Sequence, residues 1–145
     1  MEPRKYQFNN STLTIVFGDI LTSKAEVVVS SDDTGISMGG GISGCIRKAG
    51  GDGIREDAQK KLPAQLGDVV VSTAGAMEHQ KFIFHCLTID HEHKQDVYEG
   101  RLSNPEDINN YILQHSVDKC FRLLQALDLN SIAFPCIGAG MAHIP

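Results

Sequence analysis

Three short segments combine residue types able to hold an anionic ligand, and each follows a run suited to a β-strand. Gly18, Asp19 and Ile20 form the first. In the second, Ser31, Asp32, Asp33, Thr34, Gly35 and Ile36 lead through Ser37 and Met38 to Gly39, Gly40, Gly41 and Ile42. The third is Pro135, Cys136, Ile137, Gly138, Ala139, Gly140 and Met141. Glycine lets a backbone approach a ligand closely and turn its N–H groups inward. Gly39 to Gly41 run directly into an expected helix, whose unpaired first amides and positive dipole end favour an anion such as a phosphate. Gly138, Ala139 and Gly140 offer a second loop of this kind, and two amide-rich loops facing one crevice suit a diphosphate. Neither loop fits G-x-x-x-x-G-K-[ST] or G-x-G-x-x-G, which disfavours a P-loop nucleotidase and an ordinary dinucleotide-binding domain. Asp19 and the Asp32–Asp33 doublet can each cap the turn that follows its strand. Cation binding is a further alternative for the Asp32–Asp33 doublet.

The elements that position these segments alternate between short apolar runs and longer amphipathic stretches, the pattern of an α/β fold. Strands are expected over 5–8, 13–17, 26–30, 69–72, 81–88 and 131–134. A helix over 42–49 ends at Gly50 and Gly51, and a second over 54–62 stops at Pro63. The longest helix has Asn104 as N-cap, Pro105 at its first position, and Glu106 and Asp107 in its first turn, where negative charge suits the dipole. Leu113, Val117, Cys120, Phe121, Leu124 and Leu127 then recur at helical spacing as one apolar stripe. Ligands of α/β sheets collect beyond the carboxyl ends of strands, so the three segments point to one cleft. The stretch over 90–103 reads as a polar loop; His91 and His93 lie there without a third ligand placed by spacing, so no metal is expected.

With 145 residues, 41% hydrophobic and 21% charged, the chain reads as one globular domain over 1–145. Its formal net charge of −5 has the wrong sign for a protein that neutralises many nucleic-acid phosphates. No apolar run approaches a bilayer span and the polar start MEPRKYQFNN has no signal-peptide core, so a cytoplasmic location is the expectation, with no membrane partner. Cys45, Cys86, Cys120 and Cys136 form no C-x-x-C clip and are expected as free thiols. Cys136 is either a small buried hydrophobe or, beside the glycines, a nucleophile.

Taken in order, these motifs resemble the macro domain, a family that binds ADP-ribose and related NAD metabolites. The resemblance rests on Gly18-Asp19-Ile20, on Val29 followed by Gly39 to Ile46, and on Phe134-Pro135-Cys136-Ile137-Gly138-Ala139-Gly140; the stretches over 67–73 and 82–85 match intervening strands. It implies a three-layer α/β/α sandwich with a mixed sheet. Asp19, with Ile20 beside it, would meet the adenine amino group. The backbones of Gly39, Gly40, Gly41 and Ile42 and of Ile137, Gly138, Ala139, Gly140 and Met141 would hold the two phosphates, and Asp33 would face the distal ribose. No cofactor is implied. Ser30, Ser31, Asp32 and Asp33 replace the family's N-A-A-N, Ser43 replaces an aspartate of hydrolytic members, and Ala142, followed by His143, replaces an expected aromatic. These departures favour a module that binds ADP-ribose, a related metabolite or an ADP-ribosylated target. The alternative is a hydrolase that removes mono-ADP-ribosylation or processes the terminal ribose, with Asp33 as catalytic base; a scaffold with a decayed pocket is the third reading. Family domains continue with a helix, a strand and a helix that this chain lacks, so a partner chain or further domain is expected to complete that layer.

Overall fold

A computed structural model describes residues 2–90 and 105–137. Val27, Val28 and Val29 are buried without remainder, as a β-branched run requires when helices cover both faces of its sheet. This run begins the central strand β3 (Val27–Asp33), which follows a hairpin of β1 (Arg4–Phe8) and β2 (Ser11–Ile15) and a short 3₁₀ turn at Ile20–Thr22. Helices α1 (Gly41–Gly50) and α2 (Gly53–Gln59) follow, then β4 (Val69–Thr73), β5 (Phe82–Ile89), α3 (Pro105–Ala126) and β6 (Ile132–Ala133). The main sheet has the order β4-β5-β3-β6. Strands β5 and β6 pair with β3 in parallel, whereas β4 pairs with β5 antiparallel, so the sheet is mixed.

The alternation of each strand sorts its side chains between two cores. On one face Val28, Val70, Ile83 and Leu87 meet Ile46 of α1 and Ile54 and Ala58 of α2. On the other, Val27, Val29, Val69, Phe84 and Cys86 meet Cys120 of α3. The result is a three-layer α/β/α sandwich, as the resemblance implied. Helix α3 is turned slightly from the face its hydropathy suggests: Phe121 and Leu127 are exposed, while Ile112, Ser116 and Cys120 are fully buried. Ser116 enters the core because its hydroxyl donates to the Gly67 carbonyl at 3.2 Å, a partner that hydropathy cannot register. The Asn104 cap and the residues over 91–104 lie outside the described residues. Among the described residues no helix is long and apolar enough to cross a membrane.

Phe8 stands opposite Ser11, which leaves Asn9 and Asn10 as a two-residue turn with Asn9 at φ 51°. Asparagine tolerates that conformation, and the short turn starts β2 at Ser11, ahead of its apolar residues. Tyr6, Phe8, Leu13 and Ile15 fall on one side of this ribbon, and all four are exposed. The ribbon is a separate sheet, not an edge of the main one.

Glu26 ties the amino ends of three strands together. Its Oε1 accepts from Asn130 N at 2.7 Å, its Oε2 pairs with Lys81 Nζ at 2.8 Å, and its own N–H donates to Ser131 Oγ at 2.9 Å. The Lys81 hydrogen bond, then the Asn130 amide, holds the Glu26 carboxyl below its ordinary range. A carboxyl lowered by folding contributes stability above its unfolded value and loses it as pH falls through the lowered folded value. Glu26→Gln should therefore narrow the gap between neutral and acid stability, read as melting temperature between about pH 7 and pH 3.

At the far end of α1, Gly50 and Gly75 permit a close approach. A Cβ on Gly50 would lie 2.3 Å from Ile54 Cδ1 and 2.9 Å from the Ala74 carbonyl oxygen. Gly50→Ala should cost about 1–3 kcal/mol in denaturant unfolding, the range for overpacking a filled site.

Candidate functional site

Strand β3 runs four residues beyond its valines, through Ser30, Ser31, Asp32 and Asp33, and Asp32 has a buried partner. Asp32 Oδ2 lies 2.7 Å from His85 Nδ1, and His85 Nε2 lies 2.7 Å from Ser72 Oγ. These three side chains cross β3, β5 and β4 on the face covered by α1 and α2, and each is at most 2% exposed. The ladder with β5 slips between Asp32 and Asp33, with Thr88 as the extra residue, and strand alternation points the successive aspartates to opposite faces.

Asp33 turns back on its own loop. Its Oδ1 accepts from Gly35 N at 2.9 Å and Ser37 N at 3.2 Å, and its Oδ2 accepts from the Ser37 hydroxyl. The aspartate doublet is thus divided between a buried imidazole and a surface loop, and it does not present two carboxylates to one cation. Among the described residues no three His, Cys, Asp or Glu side chains gather as metal ligands.

The loop leaving Asp33 is anchored by side chains that its sequence does not advertise. Ile36 and Met38 adopt left-handed backbone conformations, φ 48° and 50°, yet both are buried. For a β-branched residue that conformation costs of order 1–3 kcal/mol. Burial of an isoleucine offsets a similar amount, about 1.5–3 kcal/mol. Gln59, the last residue of α2, donates its amide to the carbonyls of Gly35 and Ile36 at 3.3 and 3.1 Å. Both carbonyls are therefore turned toward α2.

Beyond them, the backbone amides of residues 38–43 donate to no protein acceptor among the described residues. Helix α1 begins here with Gly40 as its cap, no side chain bonding its first amides and no acidic residue in its first turn. Ser43 spends its hydroxyl on the Gly40 carbonyl at 2.9 Å. A Cβ added to Gly39, Gly40 or Gly41 would meet nothing within 4 Å. Only Gly41 requires glycine for its conformation, at φ 60°, whereas Gly40 is extended at φ −166°. The glycines thus border open space at the amino end of a helix, a concentration of donors that favours an anion.

Asp19 caps the 3₁₀ turn, its Oδ1 accepting from Leu21 N at 2.9 Å, which is the turn-capping role open from its sequence position. The same turn places Ile20 and Leu21 against the apolar cluster that also receives Ile42 of α1. Ile137 instead packs toward the α3 side, with Phe134. Gly138, Ala139, Gly140 and Met141 lie outside the described residues, as do Ala142 and His143. Cys136 is exposed, not a buried hydrophobe. Cys86 and Cys120 meet in the core with sulfurs 3.4 Å apart, and the contact with Cys120, followed by burial, pushes the Cys86 thiol up. His85, Ser72 and Gln59 are the residues that motif reading missed. For His85 the signal is a lone imidazole within the buried strand FIFHCLTI.

The family model of the macro domain matches residues 29–145. The chain belongs to the macro domain family. An uncharacterized protein of Aeropyrum pernix is 27% identical over 139 residues, spanning 96% of this chain and 67% of its own length. The O-acetyl-ADP-ribose deacetylase 1 of Pantoea vagans is 25% identical over 137 residues, spanning 92% of this chain and 73% of its own length. Among solved structures, a mutant Oceanobacillus iheyensis macrodomain with ADPR superposes with a TM-score of 0.80 at 23% identity, covering 99% of this chain and 75% of that one. The macro domain described here keeps the fold of that relative while its β3 ends in Ser-Ser-Asp-Asp.

The left-handed backbone at Gly41 and the extended one at Gly40 predict opposite sensitivities. Gly41→Ala should lower stability by about 1–2 kcal/mol, the cost of an L-residue in that region, whereas Gly40→Ala should lie within about 0.5 kcal/mol of wild type. Urea denaturation of the two variants distinguishes them.

Proposed function

We propose that this macro domain binds ADP-ribose, a related NAD-derived metabolite or an ADP-ribosylated target at the amino end of α1. The observation that carries the reading is the run of unpartnered amides over 38–43 beside glycines that border open space. One diphosphate fits this chemistry: its oxygens accept from amides that the fold leaves vacant, and the positive end of the helix adds to the attraction. Gly39, Gly40, Gly41 and Ile42 take one phosphate in this reading, and Ile137 through Met141 take the other by backbone contacts. Asp19 keeps Oδ1 on its turn, which leaves Oδ2 for the adenine amino group, with Ile20 beside it. Asp33 faces the distal ribose as a positioned acceptor, its orientation set by Gly35 and Ser37.

Hydrolysis is the second reading, favoured by the similarity to a deacetylase of O-acetyl-ADP-ribose. In that reading Asp33 activates water. The proposed location is cytoplasmic, supported by four cysteines held as free thiols. The uncovered apolar side of the hairpin, with Tyr6, Phe8, Leu13 and Ile15, supports the proposal that one domain over 1–145 is completed by a partner chain or a further domain.

Calorimetric titration with ADP-ribose tests the binding reading, and it should give saturable binding that Gly40→Val abolishes. The valine keeps an allowed backbone but projects into the space assigned to phosphate, so its circular dichroism should match wild type. Absence of ADP-ribose binding by the wild type at millimolar ligand would refute the assignment. Turnover of O-acetyl-ADP-ribose or of a mono-ADP-ribosylated protein decides between binder and hydrolase. An enzyme using Asp33 as base should lose about 10² to 10⁴ in rate on Asp33→Asn while still binding.

A further inference from the structure

Two of the four cysteines meet inside the sandwich, on the side of the sheet away from α1 and α2. Cys86 comes from β5 and Cys120 from α3, and both are fully buried. Their sulfurs lie 3.4 Å apart. Val29, Val69 and Phe84 of the sheet, with Leu123 and Leu124 of α3, surround them with apolar groups. Cys45 and Cys136, by contrast, are exposed. A buried cysteine ordinarily serves as a small hydrophobe, a role that needs no second sulfur beside it. Contact between the two sulfurs, across two layers of the fold, is what sets this pair apart.

A disulfide places its sulfurs about 2.05 Å apart, so closure needs an approach of about 1.4 Å, within the range of side-chain rotation and a small shift of α3. Closure removes two hydrogens and adds no atom, so a filled core can accommodate it. Hydrogen peroxide supplies the oxidising power. One sulfur, as its thiolate, attacks a peroxide oxygen; the O–O bond breaks, a sulfenic acid forms, and the other oxygen leaves as water with the thiol proton. The second sulfur then attacks the first, the S–S bond forms, the S–O bond breaks, and the hydroxyl leaves as a second water with the second thiol proton. Two thiols are thereby oxidised and one peroxide reduced. The contact with Cys120, followed by burial, pushes the Cys86 thiol up, which keeps it protonated and slow to react while the sandwich is closed. Entry of the oxidant follows local opening of the α3 layer.

We propose that Cys86 and Cys120 are a peroxide-sensitive dithiol, whose oxidation to a disulfide fastens α3 to the sheet and whose reduction releases it. The bridge joins residues 34 positions apart in the chain, which restricts the unfolded state and raises stability. The pair lies in the opposite core from α1, so its chemistry stands apart from the proposed ligand site.

Protein carrying Cys45→Ser and Cys136→Ser isolates the core pair for the test. After incubation with millimolar hydrogen peroxide its mass should fall by about 2 Da, the two hydrogens lost on disulfide formation. Iodoacetamide added in denaturant should then find no free thiol, a nonreducing digest should contain a β5 peptide joined to an α3 peptide, and dithiothreitol should reverse both results. The melting temperature should rise by about 5–15 °C on oxidation and return on reduction. With Cys120→Ser added, peroxide should leave it unchanged. Two alkylated thiols after the peroxide treatment, a sulfinic acid in place of the crosslink, or a bond between two molecules overturns the pairing. A crosslink that forms without a rise in melting temperature overturns the fastening of α3. The core pair is intact in the Cys45→Ser, Cys136→Ser protein, so these outcomes do not depend on whether Cys120→Ser folds.

Discussion

The hydrogen bond between Asp32 and His85 is the contact on which the candidate site depends most. Strand β3 runs four residues past its valines, and the ladder with β5 skips Thr88 before Asp33 pairs with Ile89. A carboxylate and an imidazole buried together are expensive to separate, since removing either partner leaves the other without its hydrogen bond in an apolar core. That penalty fixes where β3 ends. The end of β3 in turn fixes the start of the loop that delivers the glycines.

The loop itself is a set of opposed constraints. Ile36 and Met38 accept unfavourable backbone angles in exchange for burial, and Gln59 draws the carbonyls of Gly35 and Ile36 toward α2. Asp33 gathers the amides of Gly35 and Ser37. With those groups satisfied internally, the amides over 38–43 are the donors left over, and they lie at the amino end of α1. In the proposed reading, ligand-binding capacity here is what remains when the rest of the loop's hydrogen bonding has been completed. Rigid anchoring of that kind lowers the ordering cost of binding.

Division of the aspartate doublet also changes the electrostatics of the site. Two carboxylates directed together would repel a diphosphate or recruit a cation. Here one is matched with His85 below the surface and the other is tied to its own turn. The same principle of internal pairing holds at the opposite end of the sheet, where Glu26 joins the beginnings of β3, β5 and β6. The hairpin contrasts with both, since Tyr6, Phe8, Leu13 and Ile15 on its apolar side are exposed.

The order of strands and helices, the three-layer class and the glycine run ahead of α1 were legible in the sequence. They follow from local causes: β-branched runs, helical spacing, caps and breakers. The macro-domain motifs were legible for the same reason, being short segments whose chemistry lies in consecutive residues. What the sequence left open were matters of direction between distant residues. Asp32 and Asp33 are chemically identical neighbours, and His85, 53 positions away in the chain, separates the buried one from the half-buried one. Ser116 looks polar until its hydroxyl finds Gly67, 49 positions away, and Gln59 looks like a surface residue until it meets the loop. Burial of a polar group is decided by whether a partner is present, and partners arrive only through tertiary structure.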